Sequence, residues 1–400
     1  MISLNKSRIL NLIRLNGPLS RTALSEKMEI SMAAISKYIF ELISEGFILE
    51  TGTENTSGGR RPILLSVNPA YGCIICIDFG QSFFRIAALS LDNKIHFKHT
   101  VPSSNLGLPK TGLTLIKAMI AEIISKIKPT YKILAISIAV SGISIGNDGT
   151  HILIANLQGW HDVDIVTPII KEFGLPVFID DSARMMALCE SVSSMNGRLK
   201  NMILVSLGTG IGTGIIIFNK VLRGISGTAG ELGHIIVQEG GRICGCGSQG
   251  CLEQYASVPS MVSLAKKNIT SGARSSILDY AGGNIAHIDS YCLAKAVEAN
   301  DKLAYNIVMD AAKYLGIGIS VMINLFNPEY VVLGGGGMEI TSMILDEVKK
   351  ICHSRSIQEA VRNVKFVKAE KGKDNALIGA SISAQNYLFE LDKIHEYALL

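Results

Sequence analysis

The first 50 residues carry apolar side chains at helical spacing, and polar capping residues separate them into short segments. Ser20 and Ser31 are suited to N-cap positions, and Gly46 is suited to ending a helix. Ile9, Leu12 and Ile13 would share one buried face. The pattern predicts three helices, Asn5 to Leu15, Arg21 to Met28, and Ser31 to about Ser44.

The next segment changes to the alternation of β-strands. Phe47 to Glu50 and Pro62 to Val67 are predicted strands, and a polar, glycine-rich stretch from Thr51 to Arg61 joins them. Three helices followed by strand, wing and strand are the order of an α+β winged helix-turn-helix domain. We place this domain at residues 1–67.

The third helix would have a packed face and a reading face, as a recognition helix requires. Its inner face would hold Ala34, Ile35, Tyr38, Ile39 and Leu42. The candidate DNA contacts are on the outer face and the wing: Ser31, Met32, Ala33, Ser36, Lys37, Arg60 and Arg61. Small residues let a helix enter the groove, and the basic side chains suit phosphates. Acidic Glu26, Glu29, Glu41 and Glu45 keep a helical protein-interaction module open as the alternative.

After a linker at residues 68–72, strands rich in Ile and Val alternate with helices, which predicts an α/β architecture. The predicted strands are Cys73 to Ile77, Arg85 to Leu89, Ile133 to Val140, Val177 to Ile179, Met202 to Ser206, Ile215 to Phe218 and Tyr330 to Leu333. Lys302 to Leu325 is predicted as a long helix. Two glycine-containing turns, at residues 77–82 and 206–210, resemble each other and suggest two related lobes.

Composition narrows the class of protein. Hydrophobic residues make up 48% of the chain and charged residues 18%, which excludes a disordered protein. The net charge of +4 permits DNA binding without arguing for it. No signal peptide and no uninterrupted apolar run of about 18 residues is evident, so we expect a cytoplasmic protein without membrane contact.

A cysteine and histidine cluster is the most specific motif. His234, Cys244, Cys246 and Cys251 have the spacing H-x9-C-x-C-x4-C, with glycines between them. Three thiolates and one imidazole complete a tetrahedral zinc site, and a site filled by protein ligands is structural. Cys73 and Cys76 also form a C-x-x-C pair. They fall in an apolar strand, where we expect them to be buried hydrophobic residues.

The motifs around this cluster resemble the ROK family of repressors and sugar kinases. Gly-Glu-Leu-Gly-His at 230–234, Cys-Gly-Cys-Gly-Ser-Gln-Gly-Cys-Leu-Glu at 244–253, the glycine-rich 207–214 and Asn-Leu-Gln-Gly-Trp at 156–160 carry the resemblance. It covers about residues 70–390. The winged helix points to the transcriptional-regulator branch, which includes xylose- and N-acetylglucosamine-responsive repressors.

The resemblance implies an actin-like, two-lobed domain of the sugar-kinase and Hsp70 type, with sugar between the lobes. Its lobes would be residues 73–190 and 191–380, with a helix in 381–400 returning to the first. The implied sugar contacts are Asn156, Asp181, Glu231, His234 and Glu253. His234 would also bind the metal, so the zinc loop would hold the sugar site in shape.

The chain retains part of the nucleotide-binding motifs that the resemblance implies. The residues matching the family's phosphate and adenosine loops are Asp78, Gly80, Ser82, Gly208, Thr209, Gly210, Gly335 and Gly336. Kinase members carry Asn-Asp-Ala-Asn where this chain has Asp181-Ser182-Ala183-Arg184, so Ser182 aligns with the catalytic base. A serine hydroxyl cannot accept the proton near pH 7. A one-residue shift of this alignment, onto Asp180 or Asp181, would restore a carboxylate at the position of the base. We expect that any bound ATP is not used.

These features favour a sugar-responsive DNA-binding regulator, a repressor of carbohydrate-metabolism genes. Its expected partners are operator DNA, a sugar or sugar phosphate effector, and further copies in a homodimer or homotetramer. The alternative is an ATP-dependent sugar kinase with an added DNA-binding domain. A protein-interaction adaptor is weaker, because it leaves Glu231, His234 and Glu253 without a role.

Overall fold

The N-terminal helices pack on a small antiparallel sheet in the computed structural model, which describes residues 4–53, 61–145, 151–154, 157–193 and 199–389. The elements are α1 (Leu4–Asn16), β1 (Leu19–Ser20), α2 (Arg21–Met28), α3 (Met32–Ser44), β2 (Ile48–Thr53) and β3 (Ile63–Val67). The sheet has the order β1-β3-β2. The order agrees with the prediction except for β1, a two-residue strand between α1 and α2 that the sequence pattern did not predict.

Local chemistry explains the helix boundaries. The Ser20 hydroxyl accepts a hydrogen bond from the Ala23 N–H at 3.3 Å, and Ser31 accepts one from Ala34 at 3.3 Å. Each cap satisfies a backbone donor that the helix leaves free. Gly46 follows α3 with a φ of 80°. Both predicted caps and the predicted helix end are confirmed.

Beyond the winged helix, the chain divides into two compact units, Met1–Met185 with Ala376–Leu400, and Met186–Asn375. The first unit adds β4 (Cys73–Phe79), β5 (Phe83–Ser90), β6 (Ile95–Pro102), α4 (Pro109–Ile127), β7 (Ile133–Val140), β8 (Ile143–Ile145), β9 (His151–Leu153), β10 (Val163–Asp164), α5 (Val166–Phe173), β11 (Val177–Asp181) and the start of α6 (Ser182–Ser193). The large sheet has the order β11-β7-β4-β5-β6.

The second unit is built on β12 (Met202–Leu207), β13 (Ile211–Ile217), β14 (Lys220–Val221), β15 (Tyr330–Gly334) and β16 (Lys365–Lys368). Its helices are α7 (Glu253–Ala256), α8 (Val258–Thr270), α9 (Ser276–Tyr280), α10 (Ser290–Glu298), α11 (Lys302–Phe326), α12 (Met343–Arg355) and α13 (Gln358–Val361). The last helix, α14 (Asn375–Phe389), lies in the first unit from Ala376 onward.

Both five-stranded sheets have one topology. In each sheet the first strand is central, an antiparallel hairpin extends it on one side, and two parallel strands follow on the other. The second sheet repeats this with the order β14-β13-β12-β15-β16. The repetition is the physical basis of the two related lobes that the sequence suggested.

Helix α11 is long and apolar enough to cross a membrane by length and composition, but 61% of its apolar window is buried inside the protein. Leu315, Ile319 and Ile323 lie in the core of the second unit. The apolar character of α11 is therefore explained by packing between helices.

The linker at 68–72 is ordered. It contains a 3-10 turn at Pro69–Tyr71, and the Asn68 side chain donates a hydrogen bond to the Gly46 carbonyl at 2.9 Å. The Tyr71 ring lies 4.3 Å from that of Phe47, between ring centroids. These contacts fix the linker to the end of α3.

A second connection runs from the winged helix to α14. The Ser7 hydroxyl donates to the Phe389 carbonyl, Arg14 donates to the Asn386 side chain, and the Phe389 ring lies 5.9 Å from Phe47. The sequence predicted only the linker as a connection. The winged helix is thus held at two points of the first unit.

Candidate functional site

The four predicted metal ligands come together on one loop system of the second unit. The ligand atoms of His234, Cys244, Cys246 and Cys251 all lie within 4.8 Å of one another. Cys244 Sγ is 3.6 Å from His234 Nδ1, and the sulfurs of Cys246 and Cys251 are 3.7 Å apart. That separation excludes a disulfide, whose sulfurs are about 2.05 Å apart.

These distances fit zinc. Bonds of about 2.3 Å to sulfur and about 2.0 Å to nitrogen give tetrahedral edges of about 3.8 Å between sulfurs and about 3.5 Å between sulfur and nitrogen. The Ser248 backbone N–H lowers the pKa of the exposed Cys246 thiol to about 7. A thiol of this kind loses its proton readily to a metal.

The loop around the cluster is shaped by backbone contacts. Gly250 has a φ of 82°, and a side-chain carbon there would lie 1.8 Å from the Gln238 carbonyl, so glycine is required. Gln254 donates a hydrogen bond to Cys244 Sγ at 3.7 Å. Such outer contacts orient metal ligands.

Two predicted sugar contacts adjoin the cluster. Glu231 is exposed and immediately precedes the 3-10 turn Leu232–His234, so its carboxylate lies outside the metal set. His234 points Nδ1 at Cys244, which leaves Nε2 for another partner. Glu253 starts α7, and its Oε2 accepts from the Ile211 N–H at 3.1 Å. Glu253 therefore also supports the second glycine loop.

The polar groups in the segment that the resemblance aligns with the kinase base form hydrogen bonds and ion pairs within the protein. Ser182 Oγ is 3.0 Å from Ser141 Oγ at the start of α6. Asp181 accepts from the Arg184 N–H at 3.0 Å as a helix cap, and Asp180 forms a buried ion pair with Arg184 Nε at 2.7 Å. Both carboxylates next to Ser182 thus have structural partners.

Residues of the candidate phosphate loops also have structural roles within the protein. Asp78 pairs with Arg85 at 2.6 Å, an interaction the sequence analysis missed because Arg85 lies on the next strand. Gly335 has a φ of 85°, and a side-chain carbon there would lie 2.3 Å from the Leu207 carbonyl. The close approach of the two strand ends therefore explains why this position is glycine, and no bound nucleotide is needed to explain it. Ser82 is exposed, and Gly80, Gly208, Thr209 and Gly210 are half-buried.

The candidate DNA-reading face is open. Ser31, Met32, Ala33, Ser36, Lys37 and Arg61 are exposed, whereas Ile35, Ile39 and Leu42 are buried. Two predicted contacts, Arg60 on the wing and Asn156 among the sugar residues, lie outside the described residues. The face also exposes Phe40, which the sequence analysis did not select.

Two acidic residues at the C-terminal end of α3 form ion pairs with α1. Lys6 on α1 binds Glu41 at 3.2 Å and Glu45 at 2.7 Å, and the bond to Glu45 raises the pKa of Lys6. Arg21 pairs with Glu50 at 2.8 Å. Three of the nearby carboxylates are therefore neutralised within the domain. Of the four acidic residues that kept a protein-interaction module open, Glu41 and Glu45 are paired in this way, whereas Glu26 and Glu29 are exposed.

Comparison with known proteins places the chain in a family. The model of the ROK family matches residues 74–386, and that of a winged helix-turn-helix DNA-binding domain matches residues 3–48. The chain belongs to the ROK family. The predicted family and the two-part fold class are confirmed.

Individual ROK proteins match over most of the chain. The xylose repressor of Caldicellulosiruptor bescii is 33% identical over 377 residues, covering 94% of this chain and 93% of that protein. The crystal structure of a ROK family transcriptional regulator, a homologue of the Escherichia coli Mlc protein, matches with a TM-score of 0.81 and 27% identity over 97% of this chain and 96% of that one.

The ROK kinases that match cover a smaller share of the chain. A Streptomyces griseus ROK glucokinase, in complex with glucose and AMPPNP, has a TM-score of 0.68 and 27% identity, covering 78% of this chain and 99% of that one. The uncovered fifth of the chain is comparable in length to the winged helix. Similarity to regulators thus extends over both parts of the chain.

Proposed function

We propose that this ROK protein is a sugar-responsive transcriptional repressor whose kinase-like domain senses its effector without phosphorylating it. The observation that carries the proposal is one chain with an exposed candidate recognition helix and a ROK domain in which the resemblance aligns Ser182 with the catalytic base. The similarity to the C. bescii xylose repressor supports a carbohydrate effector, with xylose as the first to test. The test is a DNA-binding titration across a panel of sugars and sugar phosphates.

We assign the sugar-binding role to Glu231, His234 and Glu253, because carboxylates and imidazole form directional hydrogen bonds with sugar hydroxyls. We assign zinc to His234, Cys244, Cys246 and Cys251, and a structural role to the ion. A dimer or tetramer follows from the DNA-binding role, since one recognition helix reads only one half-site.

Phosphoryl transfer is expected to be absent. With Mg-ATP and either glucose or xylose, the purified protein should consume no ATP, because Ser182 cannot act as the base and Asp78, Asp180 and Asp181 have other partners. A coupled assay measures this, with an active sugar kinase as the positive control. Turnover in the range of about 1–100 per second that is typical of kinases would contradict the proposal and favour the kinase alternative.

Basic side chains on the wing should set the salt dependence of DNA binding. Replacing Arg60 and Arg61 together with Ala removes two candidate phosphate contacts, so the slope of log K against log salt should fall by about 2. The measurement is operator binding at several salt concentrations. Lys267→Ala, an exposed lysine change in the second unit, is the matched control and should leave the slope unchanged. An unchanged slope in the double variant would remove the wing from the DNA contacts.

A further inference from the structure

The outer face of α3 carries an apolar stripe. Met32, in the first turn of α3, is 45% exposed and Phe40 is 74% exposed, whereas Ile35, Ile39 and Leu42 of the same helix are buried. Single exposed apolar side chains are common on protein surfaces, so the informative feature is that two of them lie on a candidate recognition helix. Packing within the domain leaves both side chains exposed.

The stripe is continuous along the helix. Met32, Ser36 and Phe40 are spaced at i, i+4 and i+8, so they follow one line over about 12 Å of helix axis. Ala33 and Lys37 form the adjacent line, which continues to Glu41 at the next i+4 position. The acidic Glu41 and Glu45 are bound by Lys6 on α1. The face thus combines apolar contacts with one central cation.

We propose that Met32 and Phe40 contact thymine methyl groups in the major groove of the operator, so that the half-site is specified in part by thymines. The inference rests on the proposed function and deepens it. The thymine C5-methyl is the apolar group on base edges in that groove, and apolar side chains are the residues that recognise it. Lys37 between the two apolar groups suits a phosphate or a guanine edge.

Charge and size favour DNA over a protein partner at this face. Lys37 and Arg61 are exposed and complement the negative charge of the duplex. A stable protein interface needs about 800 Å² from each partner, which two large side chains on a single 13-residue helix do not provide. A groove about 12 Å wide, which admits one helix, matches the shape of the stripe.

The experiment compares thymine with deoxyuridine, which keeps every hydrogen-bonding group and lacks only the methyl. A preferred duplex is first selected from a random-sequence pool by the full-length protein, then synthesised with thymine or with deoxyuridine at each selected position. For the wild type we expect affinity to fall about fourfold for each contacted methyl, corresponding to about 0.8 kcal/mol of buried apolar group.

Variants of Met32 and Phe40 test whether these side chains cause the loss of affinity for deoxyuridine duplexes. Phe40→Ala and Met32→Ala should bind the thymine duplex more weakly and lose sensitivity to deoxyuridine at distinct positions, whereas Phe40→Leu should keep part of it. Alanine favours helices more than phenylalanine does, so Phe40→Ala should not unfold the domain. Phe218→Ala, at a residue 78% exposed in the second unit, is the matched control and should behave as the wild type.

The outcomes separate the two proposals. If the wild type selects no sequence, the DNA-binding function itself fails. If it selects a sequence but binds the deoxyuridine duplex equally well, or if Phe40→Ala keeps full deoxyuridine sensitivity, the methyl contacts are refuted. A Phe40→Ala variant that changes oligomeric state by light scattering, with deoxyuridine sensitivity intact, assigns the stripe to a protein contact and overturns the inference.

Discussion

Replacing Cys246 with Ser is expected to reduce the zinc content of the purified protein from about one ion per chain to near zero. A serine hydroxyl is not deprotonated near pH 7, so the tetrahedral set would lose one of its three thiolates. Cys246 is exposed, and the change leaves no cavity in the core. The loss of stability that follows therefore reports on the metal and not on packing.

The consequence should extend beyond metal content. Structural zinc contributes about 10–16 kcal/mol to folding in small zinc-binding peptides, and here it would order the loop that carries His234. We expect a lower melting temperature and a weaker response of DNA binding to sugar. Elemental analysis and thermal unfolding, each with and without a chelator, measure both effects.

A buried cysteine of the same unit provides the control. Cys292 is 3% exposed, and its thiol faces the His287 carbonyl at 3.8 Å, where a serine hydroxyl can donate instead. Cys292→Ser should keep its zinc. Wild-type protein that contains no metal, or Cys246→Ser protein with unchanged melting temperature and sugar response, would count against a structural zinc.

Features encoded locally could be predicted from the sequence. Ser20 and Ser31 cap α2 and α3 because a helix start depends on a few adjacent residues. The metal cluster is also local in sequence, since Cys244, Cys246 and Cys251 lie on one loop. Repeated Ile and Val runs identify strands in the same way, although strand ends such as that of β4 at Phe79 extend beyond the predicted bounds.

Features that depend on tertiary neighbours could not be predicted. The ion pair between Arg85 and Asp78 needs the antiparallel register of β4 and β5, which places these residues opposite each other. The contact of Phe389 with Phe47 joins residues far apart in sequence, and no periodic pattern reveals it. Phe40 differs, because its exposure could have been deduced from the helical spacing that placed Ser36 outside. The predicted contacts on α3 ended at Lys37, about one helical turn before Phe40.

Changing Glu231 to Gln should shift the sugar response to about 10- to 150-fold higher sugar concentration. A charge-assisted hydrogen bond from a sugar hydroxyl to this carboxylate would contribute about 1.5–3 kcal/mol, and glutamine keeps the size of the side chain while removing its charge. Glu231 is exposed and lies outside the metal set, so zinc content and melting temperature without sugar should stay near wild type. DNA affinity without sugar should also be unchanged.

The decisive measurement is a titration of DNA binding with the effector found in the sugar panel, comparing wild type with Glu231→Gln. Glu239→Gln is the matched control, because Glu239 is exposed and close in sequence but outside the proposed sugar contacts. A ligand regulates DNA binding only if it binds the DNA-competent and DNA-incompetent states with different affinity.

A shifted midpoint with the same final DNA affinity therefore places Glu231 in sugar binding, whereas a changed final affinity places it in the coupling between sugar and DNA. Equal midpoints for wild type and Glu231→Gln would show that the sugar site is assigned to the wrong residue, and a wild type that responds to no sugar would refute the sensor function itself.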